Sequence, residues 1–173
     1  MLFLLNGAAK LKEHGRMAII QNGSSLFTGD AGSGQSEIRR YLIENDWLDA
    51  IVQLPNDSFY NTGIATYVWI VTKDKPEERA GRVQLIDASQ CYTSRRKNIG
   101  NKRVDITNAC RDLIVKVYGD YTDGTFKDMD ENGSEILVKS KVLDAVTLGY
   151  NKITVESPEL DENGNQVLKN KKP

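Results

Sequence analysis

The part of this sequence best suited to chemistry is a polar loop, residues 55–63, which carries the adjacent aromatic residues Phe59 and Tyr60. Apolar runs typical of buried strands flank it. Ligands of open α/β sheets bind outside the carboxyl ends of the parallel strands, and the loop follows such an end. Asn22 would emerge at the same edge. An aromatic ring there offers a nucleobase a stacking surface worth roughly 1–3 kcal/mol. The alternative is that Phe59 and Tyr60 only close the edge of the sheet.

A basic segment lies further along the chain. Arg95, Arg96 and Lys97 are followed by Lys102 and Arg103, with no acidic residue between them. Such a cluster could contact phosphates, and a solvated loop explains it equally well. The chain has 23 Lys and Arg against 24 Asp and Glu, a net charge of -1. Only a local patch could therefore hold a polyanion.

Two further motifs match known binding loops only in part. The glycine loop of residues 29–34 lacks the Lys-Ser or Lys-Thr of a phosphate-binding loop and the third glycine of a dinucleotide fingerprint. We interpret it as a mobile connector that enters a helix. Residues 128–133 match the first six positions of an EF-hand loop, but Lys139 stands where a bidentate glutamate is needed. We interpret this motif as a hairpin turn and predict no metal site.

The single histidine and the two cysteines do not form a catalytic set. We expect His14 to interact with a helix C-terminus. Cys91 and Cys110 are not a C-x-x-C pair, and Cys110 lies on a predicted apolar helix face, so we expect reduced thiols in a cytoplasmic protein. The longest apolar run, residues 64–71, is far shorter than the roughly 20 residues that cross a bilayer. The start of the chain lacks a secretory pattern, and no membrane partner is expected.

The first half of the chain alternates predicted helices with short apolar strands, the pattern of a parallel α/β sheet. Residues 16–21 are nearly all apolar, as in a strand that is buried on both sheet faces. Further strands are predicted at residues 48–54, 65–72 and 83–86. The loop of about ten residues between the second and third strands is too short for a parallel crossover, so those strands should pair antiparallel. The predicted fold class is α/β, with a mainly parallel sheet and one reversed strand.

The second half is polar, basic and rich in turns. A helix is predicted over residues 107–118. The sequence Asp-Glu-Asn-Gly occurs at residues 130–133 and 161–164, and Asn-Gly is a strong hairpin signal. We therefore predict two hairpin turns around a short helix that starts at Ser140. Residues 1–89 would form the sheet domain and residues 90–173 a small α+β extension.

Several blocks of the first half, in matching order and spacing, resemble N6-adenine DNA methyltransferases of the type I restriction-modification M subunit branch. The blocks are GRMAIIQNG (residues 15–23), LF (26–27), EIRRYLI (37–43), LDAIVQLP (48–55) and FYNTGI (59–64). They resemble the second half of the catalytic domain, so that residues 1–89 would be its carboxyl-terminal half. The segment ITVESP (153–158) is similar, less specifically, to the segment that comes after this domain in some of these subunits.

The resemblance implies a partial Rossmann-like sheet of an enzyme that uses S-adenosylmethionine to methylate the exocyclic amine of a flipped adenine. Phe59 matches the family aromatic that stacks on that adenine. The other residues that the resemblance assigns to the wall of the pocket are Tyr60, Asn61, Thr62, Asn22 and Gly23. Arg95, Arg96 and Lys97 are weaker candidates for contact with DNA phosphates.

Two family motifs are absent from this sequence. None of the four prolines is adjacent to another, so there is no Asn-Pro-Pro-Phe or Asn-Pro-Pro-Tyr loop to polarise the amine. The glycine loop of residues 29–34 follows the strand that aligns with the family's fifth, so it is not the donor-binding turn. We therefore assign no catalytic residue and expect the chain to be inactive alone, with S-adenosylmethionine bound only in the full-length protein.

The expected partners are DNA and the specificity and restriction subunits of a type I complex. An exposed sheet edge leads us to expect a homodimer or a rearrangement of the isolated chain. The alternative hypothesis is a noncatalytic α/β interaction module from a truncated gene.

Overall fold

The computed structural model describes residues 1–155, 157, 162 and 163. Half of the second Asp-Glu-Asn-Gly motif, residues 161 and 164, falls outside this part, and its predicted hairpin stays a prediction. The described helices are α1 (Leu2–Lys10), α2 (Ser24–Phe27), α3 (Gly34–Glu44) and α4 (Asn108–Asp120). The described strands are β1 (Arg16–Asn22), β2 (Leu48–Gln53), β3 (Thr66–Thr72), β4 (Arg82–Gln90), β5 (Thr93–Ile99), β6 (Lys102–Asp105), β7 (Gly124–Met129) and β8 (Glu135–Asp144).

Six strands form one mixed sheet in the order β1-β3-β2-β4-β8-β7, and β5 and β6 form a separate hairpin. β3 is antiparallel to β2, as the short connection predicted, and it is also antiparallel to β1. β2 and β4 are parallel. β8 adds a second reversed strand between β4 and β7. The α/β class is confirmed, and the strands that run in one direction are interleaved with reversed ones.

The helix predicted to start at Ser140 is wrong, because β8 continues through Asp144. Ile136, Val138 and Ser140 are buried, whereas the residues that alternate with them are exposed or only partly buried, which is the period of a strand. The Ser140 hydroxyl accepts a 2.9 Å hydrogen bond from the buried Gln84 amide. The expected turn at residues 130–133 does join β7 to β8. The division at residue 89 stays a prediction, and β8 pairs with β4 across it.

The sheet has a helix layer on each face. α1 and α3 cover one face, where Leu4 and Leu42 pack with Trp69. α4 covers the other face, where Leu113 and Val117 pack among buried side chains of β2, β4 and β8. None of the helices in the described part of the chain is long and apolar enough to span a membrane.

β1 differs from its prediction as a strand buried on both faces. Its residues alternate between exposed and partly covered, and Ile20 is 50% exposed. The physical reason is that one face is covered and the other is not: Met17 and Ile19 pack on the cluster under α1 and α3, whereas Ala18 and Ile20 face away from it and are exposed. β1 also ends the sheet, so that among the described strands only β3 pairs with it. An apolar strand at an uncovered edge therefore adjoins the candidate site.

Candidate nucleic-acid interface

The aromatic loop that connects β2 to β3 is folded tightly on itself. Asp57 has a left-handed backbone, with φ 57°. The buried Ser58 donates a 2.7 Å hydrogen bond to the carbonyl of Pro55. Phe59 and Thr62 form an isolated antiparallel bridge. The loop is therefore a preformed turn at the carboxyl end of β2.

The two aromatic residues of the loop have different surroundings. Phe59 is partly buried and packs against the apolar cluster beneath α4. Tyr60 is 62% exposed, and the Lys102 ammonium lies 5.4 Å from the centre of its ring. Phe59 anchors the loop to the core, whereas Tyr60 presents an aromatic surface to solvent.

Asn22 and Gly23 lie at the same edge of the sheet as this loop, because β1 and β2 run in the same direction. The exposed Asn22 pairs in register with Thr66, where the loop re-enters the sheet. Its side-chain oxygen accepts a hydrogen bond from Ser24, and its carbonyl accepts one from Ser25 at 2.8 Å. A Cβ at Gly23 would lie 3.4 Å from the ring of Tyr67. The structure therefore places the Asn22-Gly23 turn and the aromatic loop at the same edge of the sheet, as predicted.

The basic segment forms the hairpin of β5 and β6, which docks on the aromatic loop. The Asn101 N–H donates to the Tyr60 carbonyl and the Arg103 N–H donates to the Asp57 carbonyl, each over 2.9 Å. Sequence reasoning missed this hairpin. The available signal was Gly100-Asn101 between two polar extended runs, a dipeptide typical of two-residue hairpin turns.

The basic side chains of the hairpin fall into two groups. Arg95 forms an ion pair with Asp105, and Lys102 lies 3.0 Å from the same carboxylate. Slight burial works to raise the pKa of Asp105, but the bonds from Lys102 and Arg95 outweigh it and hold that pKa below its usual value. Arg96 and Lys97 are exposed. Arg95 is thus neutralised within the protein, unlike its two neighbours.

The acidic residues Asp130 and Glu131 of the EF-hand-like turn accept hydrogen bonds that stabilise the fold. Asp130 accepts the N–H groups of Asn132 and Ser134 at 2.8 Å each and the hydroxyl of Thr93 at 2.5 Å. Glu131 accepts the N–H of Ala109 in the first turn of α4, at 3.2 Å. The described residues contain no group of three or more His, Cys, Asp or Glu placed to hold a metal ion.

The histidine and the cysteines also have structural partners. His14 Nδ1 lies 2.8 Å from Asp74 Oδ2, so its partner is this carboxylate, in place of the helix C-terminus that we expected. Cys110 is buried in the core as expected. Burial, and then the nearby Cys110, raise the pKa of the Cys91 thiol to about 12. A thiol with that pKa stays protonated and is a poor nucleophile.

A buried polar cluster at the opposite end of β2 also escaped the sequence analysis. The Arg79 guanidinium lies 3.3 Å from the carboxylate of Asp49, which is 1% exposed. The Tyr118 hydroxyl donates to the same carboxylate. Burial, then Asp49, raise the pKa of Tyr118 to about 12. The cluster joins β2 to α4 far from the aromatic loop and has a structural role.

Comparison with known proteins decides the family. A model of the N-6 DNA methylase family matches residues 1–146. The chain belongs to that family. The type I restriction enzyme MjaVII methylase subunit of Methanocaldococcus jannaschii is 33% identical to this chain over 113 residues, which are 62% of this chain and 18% of that subunit. The MjaIX methylase subunit of the same organism is 41% identical over 71 residues, 40% of this chain and 13% of that subunit.

Solved structures agree with this membership. The type I restriction-modification methyltransferase subunit from Streptococcus thermophilus matches with a TM-score of 0.64 and 28% identity, over 83% of this chain and 26% of that one. The EcoKI M protein shares the fold at a TM-score of 0.54 and 19% identity, over 83% of this chain and 34% of that one. The resemblance to type I M subunits is confirmed, and this chain spans only a minor part of the length of each relative.

Proposed function

We propose that this chain is the carboxyl-terminal part of the catalytic domain of a type I DNA adenine-N6 methyltransferase subunit, and that it supplies the wall of the pocket for the extruded adenine. The observation that carries this proposal is the position of the aromatic loop. In a chain of the N-6 DNA methylase family, Tyr60 is exposed and Phe59 half-buried at the carboxyl end of β2.

The proposed role follows from the cost of base extrusion. A base that leaves the duplex loses its stacking and pairing, at a cost of a few kcal/mol. Stacking on an aromatic side chain returns roughly 1–3 kcal/mol. Phe59 and Tyr60 would supply that surface, and Asn61, Thr62 and the Asn22-Gly23 turn would line its margin. The Thr62 hydroxyl accepts the N–H of Ile64 at 3.3 Å, which supports the shape of the loop.

The groups that activate the adenine amine would come from other polypeptide of the complete subunit. The sequence has no Asn-Pro-Pro motif, and we assign no catalytic acid or base to its residues. The chain alone is then inactive.

The glycine loop of residues 29–34 does not fit the methyl donor S-adenosylmethionine. The glycine loop is filled by its own side chains, since a Cβ at Gly29 would lie 2.4 Å from Ser33 Oγ. Asp30 of this loop forms an ion pair with Lys152. The methyl donor would bind in the complete subunit, outside these residues.

The proposed partners are DNA and the specificity and restriction subunits of a type I complex, in the cytoplasm. The uncovered edge of β1 supports an additional expectation. A free apolar strand edge pairs readily with another chain, so the isolated chain should self-associate.

Binding of a single-stranded oligonucleotide that contains 2-aminopurine, a fluorescent adenine analogue, tests the wall. Stacking on the loop should quench the fluorescence, and Phe59→Ala or Tyr60→Ala should weaken this binding about tenfold. Phe27→Ala and Tyr150→Ala are matched controls, because both residues are exposed aromatics outside the loop.

Equal quenching by the loop variants and the controls would contradict the wall. In a separate assay with S-adenosylmethionine and adenine-containing DNA, the chain alone should give no methylated product. Turnover would contradict the assignment of the reactive groups to other polypeptide. It would also exclude the alternative of a noncatalytic module.

A further inference from the structure

The hairpin of β5 and β6 is fixed to the aromatic loop along one edge. The two donors, Asn101 and Arg103, are two residues apart, and their acceptors are the carbonyls of Tyr60 and Asp57. The Val104 N–H also lies 3.4 Å from the Asp57 carbonyl, so the backbone of the loop runs beside β6 and the turn that precedes it. A two-stranded hairpin alone is marginally stable in water. Hairpin and loop therefore form one structural unit.

The base of the hairpin is fixed as well. The Thr93 hydroxyl donates to Asp130 of the β7–β8 turn over 2.5 Å. Val104 is buried. Asp105 binds both Arg95 and Lys102 on the side of the hairpin that carries the contact with Tyr60. These contacts leave the hairpin few ways to move relative to the loop.

Asp105 does not pair with the remaining cations of the hairpin. Arg96, Lys97 and Arg103 are exposed. None of them forms an ion pair with a residue in the described part of the chain. Three uncompensated charges on a fixed hairpin form a concentrated positive surface in a chain whose net charge is -1. They lie on the same unit as the exposed ring of Tyr60.

We infer that this hairpin is an arm that binds the DNA sugar-phosphate backbone beside the extruded base, through Arg96, Lys97 and Arg103. The inference rests on the proposed function and extends it from the base to its flanking phosphates. A groove that combines aromatic stacking with backbone-tracking cations is the usual means of holding single-stranded nucleic acid. Because hairpin and loop are one unit, phosphate contacts would set the position of the base relative to Tyr60. Arg95 is excluded from the arm because Asp105 neutralises it.

The test compares two triple variants of the full 173-residue chain. The arm variant is Arg96→Gln/Lys97→Gln/Arg103→Gln. The control, Lys10→Gln/Lys12→Gln/Lys116→Gln, removes the same charge from exposed positions on or beside α1 and α4. Fluorescence anisotropy measures binding of an adenine-containing single strand and of a fully abasic strand between 50 and 200 mM NaCl, and circular dichroism verifies the fold of both variants.

The wild-type chain should bind both strands. The arm variant should bind both more weakly, and its slope of log K against log salt should be less steep by about 0.7 for each phosphate that the variant no longer neutralises. The control should behave as the wild type. Equal behaviour of the two variants, no binding by the wild type at 50 mM salt, or equally tight binding of a polyglutamate peptide would overturn the inference.

The abasic strand separates this inference from the proposed function. Loss of abasic binding in the arm variant supports the arm even if Phe59→Ala and Tyr60→Ala leave binding of the 2-aminopurine strand unchanged. Unchanged binding of the 2-aminopurine strand by Phe59→Ala and Tyr60→Ala would contradict the proposed adenine-pocket wall but not the arm. Conversely, an effect of Tyr60→Ala without an effect of the arm variant would support the wall and overturn the arm.

Discussion

Gly100 lies so close to Tyr60 that a Cβ added to Gly100 would be 2.5 Å from the Tyr60 carbonyl oxygen. That oxygen accepts the N–H of Asn101. Gly100 also has φ 59°, in the left-handed region. The turn of the basic hairpin and the aromatic loop thus meet backbone to backbone, with no room for a side chain between them.

Gly100→Ala should separate the hairpin from the loop. Left-handed alanine costs roughly 1 kcal/mol by itself, and loss of the Asn101–Tyr60 hydrogen bond should add about 1 kcal/mol. Gly133→Ala is the matched control, because Gly133 has φ 77° and no atom within 4 Å of an added Cβ. Urea denaturation should show the larger loss for Gly100→Ala. Equal losses of unfolding free energy in the two variants would mean that the contact between Gly100 and Tyr60 does not stabilise the fold.

Arg79→Met should destabilise the fold strongly, because it leaves the Asp49 carboxylate buried without its cation. Breaking a buried ion pair in this way costs about 3–5 kcal/mol. A second change, Asp49→Asn, should restore part of the loss, since it removes the uncompensated charge and keeps an acceptor for the Tyr118 hydroxyl. Arg111→Met, at an exposed position of α4, is the control. Additive losses in the double variant, measured by urea denaturation, would argue against coupling of the pair.

Asp130 should make stability depend on acid pH. The hydroxyl of Thr93, then the N–H of Ser134, lower its pKa in the folded protein, against a small opposing effect of burial. The folded protein therefore binds this proton less readily than the unfolded chain, and the stabilisation is complete above the unfolded pKa and lost as pH falls through the folded value.

Asp130→Asn should accordingly lower stability at pH 7 and weaken its fall with acidification. The measurement is the free energy of unfolding from pH 7 to pH 3, with Asp112→Asn on the exposed side of α4 as control. An unchanged pH dependence in Asp130→Asn would assign the acid sensitivity to other carboxylates.

Ile20→Lys should reduce self-association of the isolated chain. Ile20 is 50% exposed on the edge strand β1, and a lysine there opposes pairing with a second strand edge. Val115→Lys is the control, because Val115 is 66% exposed on α4, away from that edge. Sedimentation equilibrium should show a lower dimer fraction only for Ile20→Lys. An equal dimer fraction for the two variants would mean that the chain does not self-associate through the edge of β1.

Local patterns were sufficient for several elements of the fold. The short connection between β2 and β3 predicted their antiparallel pairing, the Asn-Gly of residues 132–133 predicted the β7–β8 turn, and the apolar spacing of α4 predicted its buried face. Each of these depends on residues that are close in sequence, so the pattern and its cause lie in the same window.

The remaining features depend on partners distant in sequence. Arg79 and Asp49 form an ion pair although they are 30 residues apart in sequence. No local sequence pattern predicts such a pair. The apolar composition of β1 predicted burial on both faces, and this is wrong because only one face of β1 packs against the cluster under α1 and α3. Which faces are covered depends on helices distant in sequence. The aromatic loop could be predicted from Phe59 and Tyr60. Its docking with the basic hairpin could not, because backbone N–H and carbonyl groups make the contact and leave no trace in residue types.

The position of the reversed strand β3 affects how the chain can fold while it is synthesised on the ribosome. It lies between β1 and β2 and bonds to both, although both precede it in the chain. Among the described strands, neither β1 nor β2 has a partner until residues 66–72 emerge. A nascent chain that pauses before that point would expose the apolar strands β1 and β2 without their shared partner. The seven residues of β3 then pair with both strands.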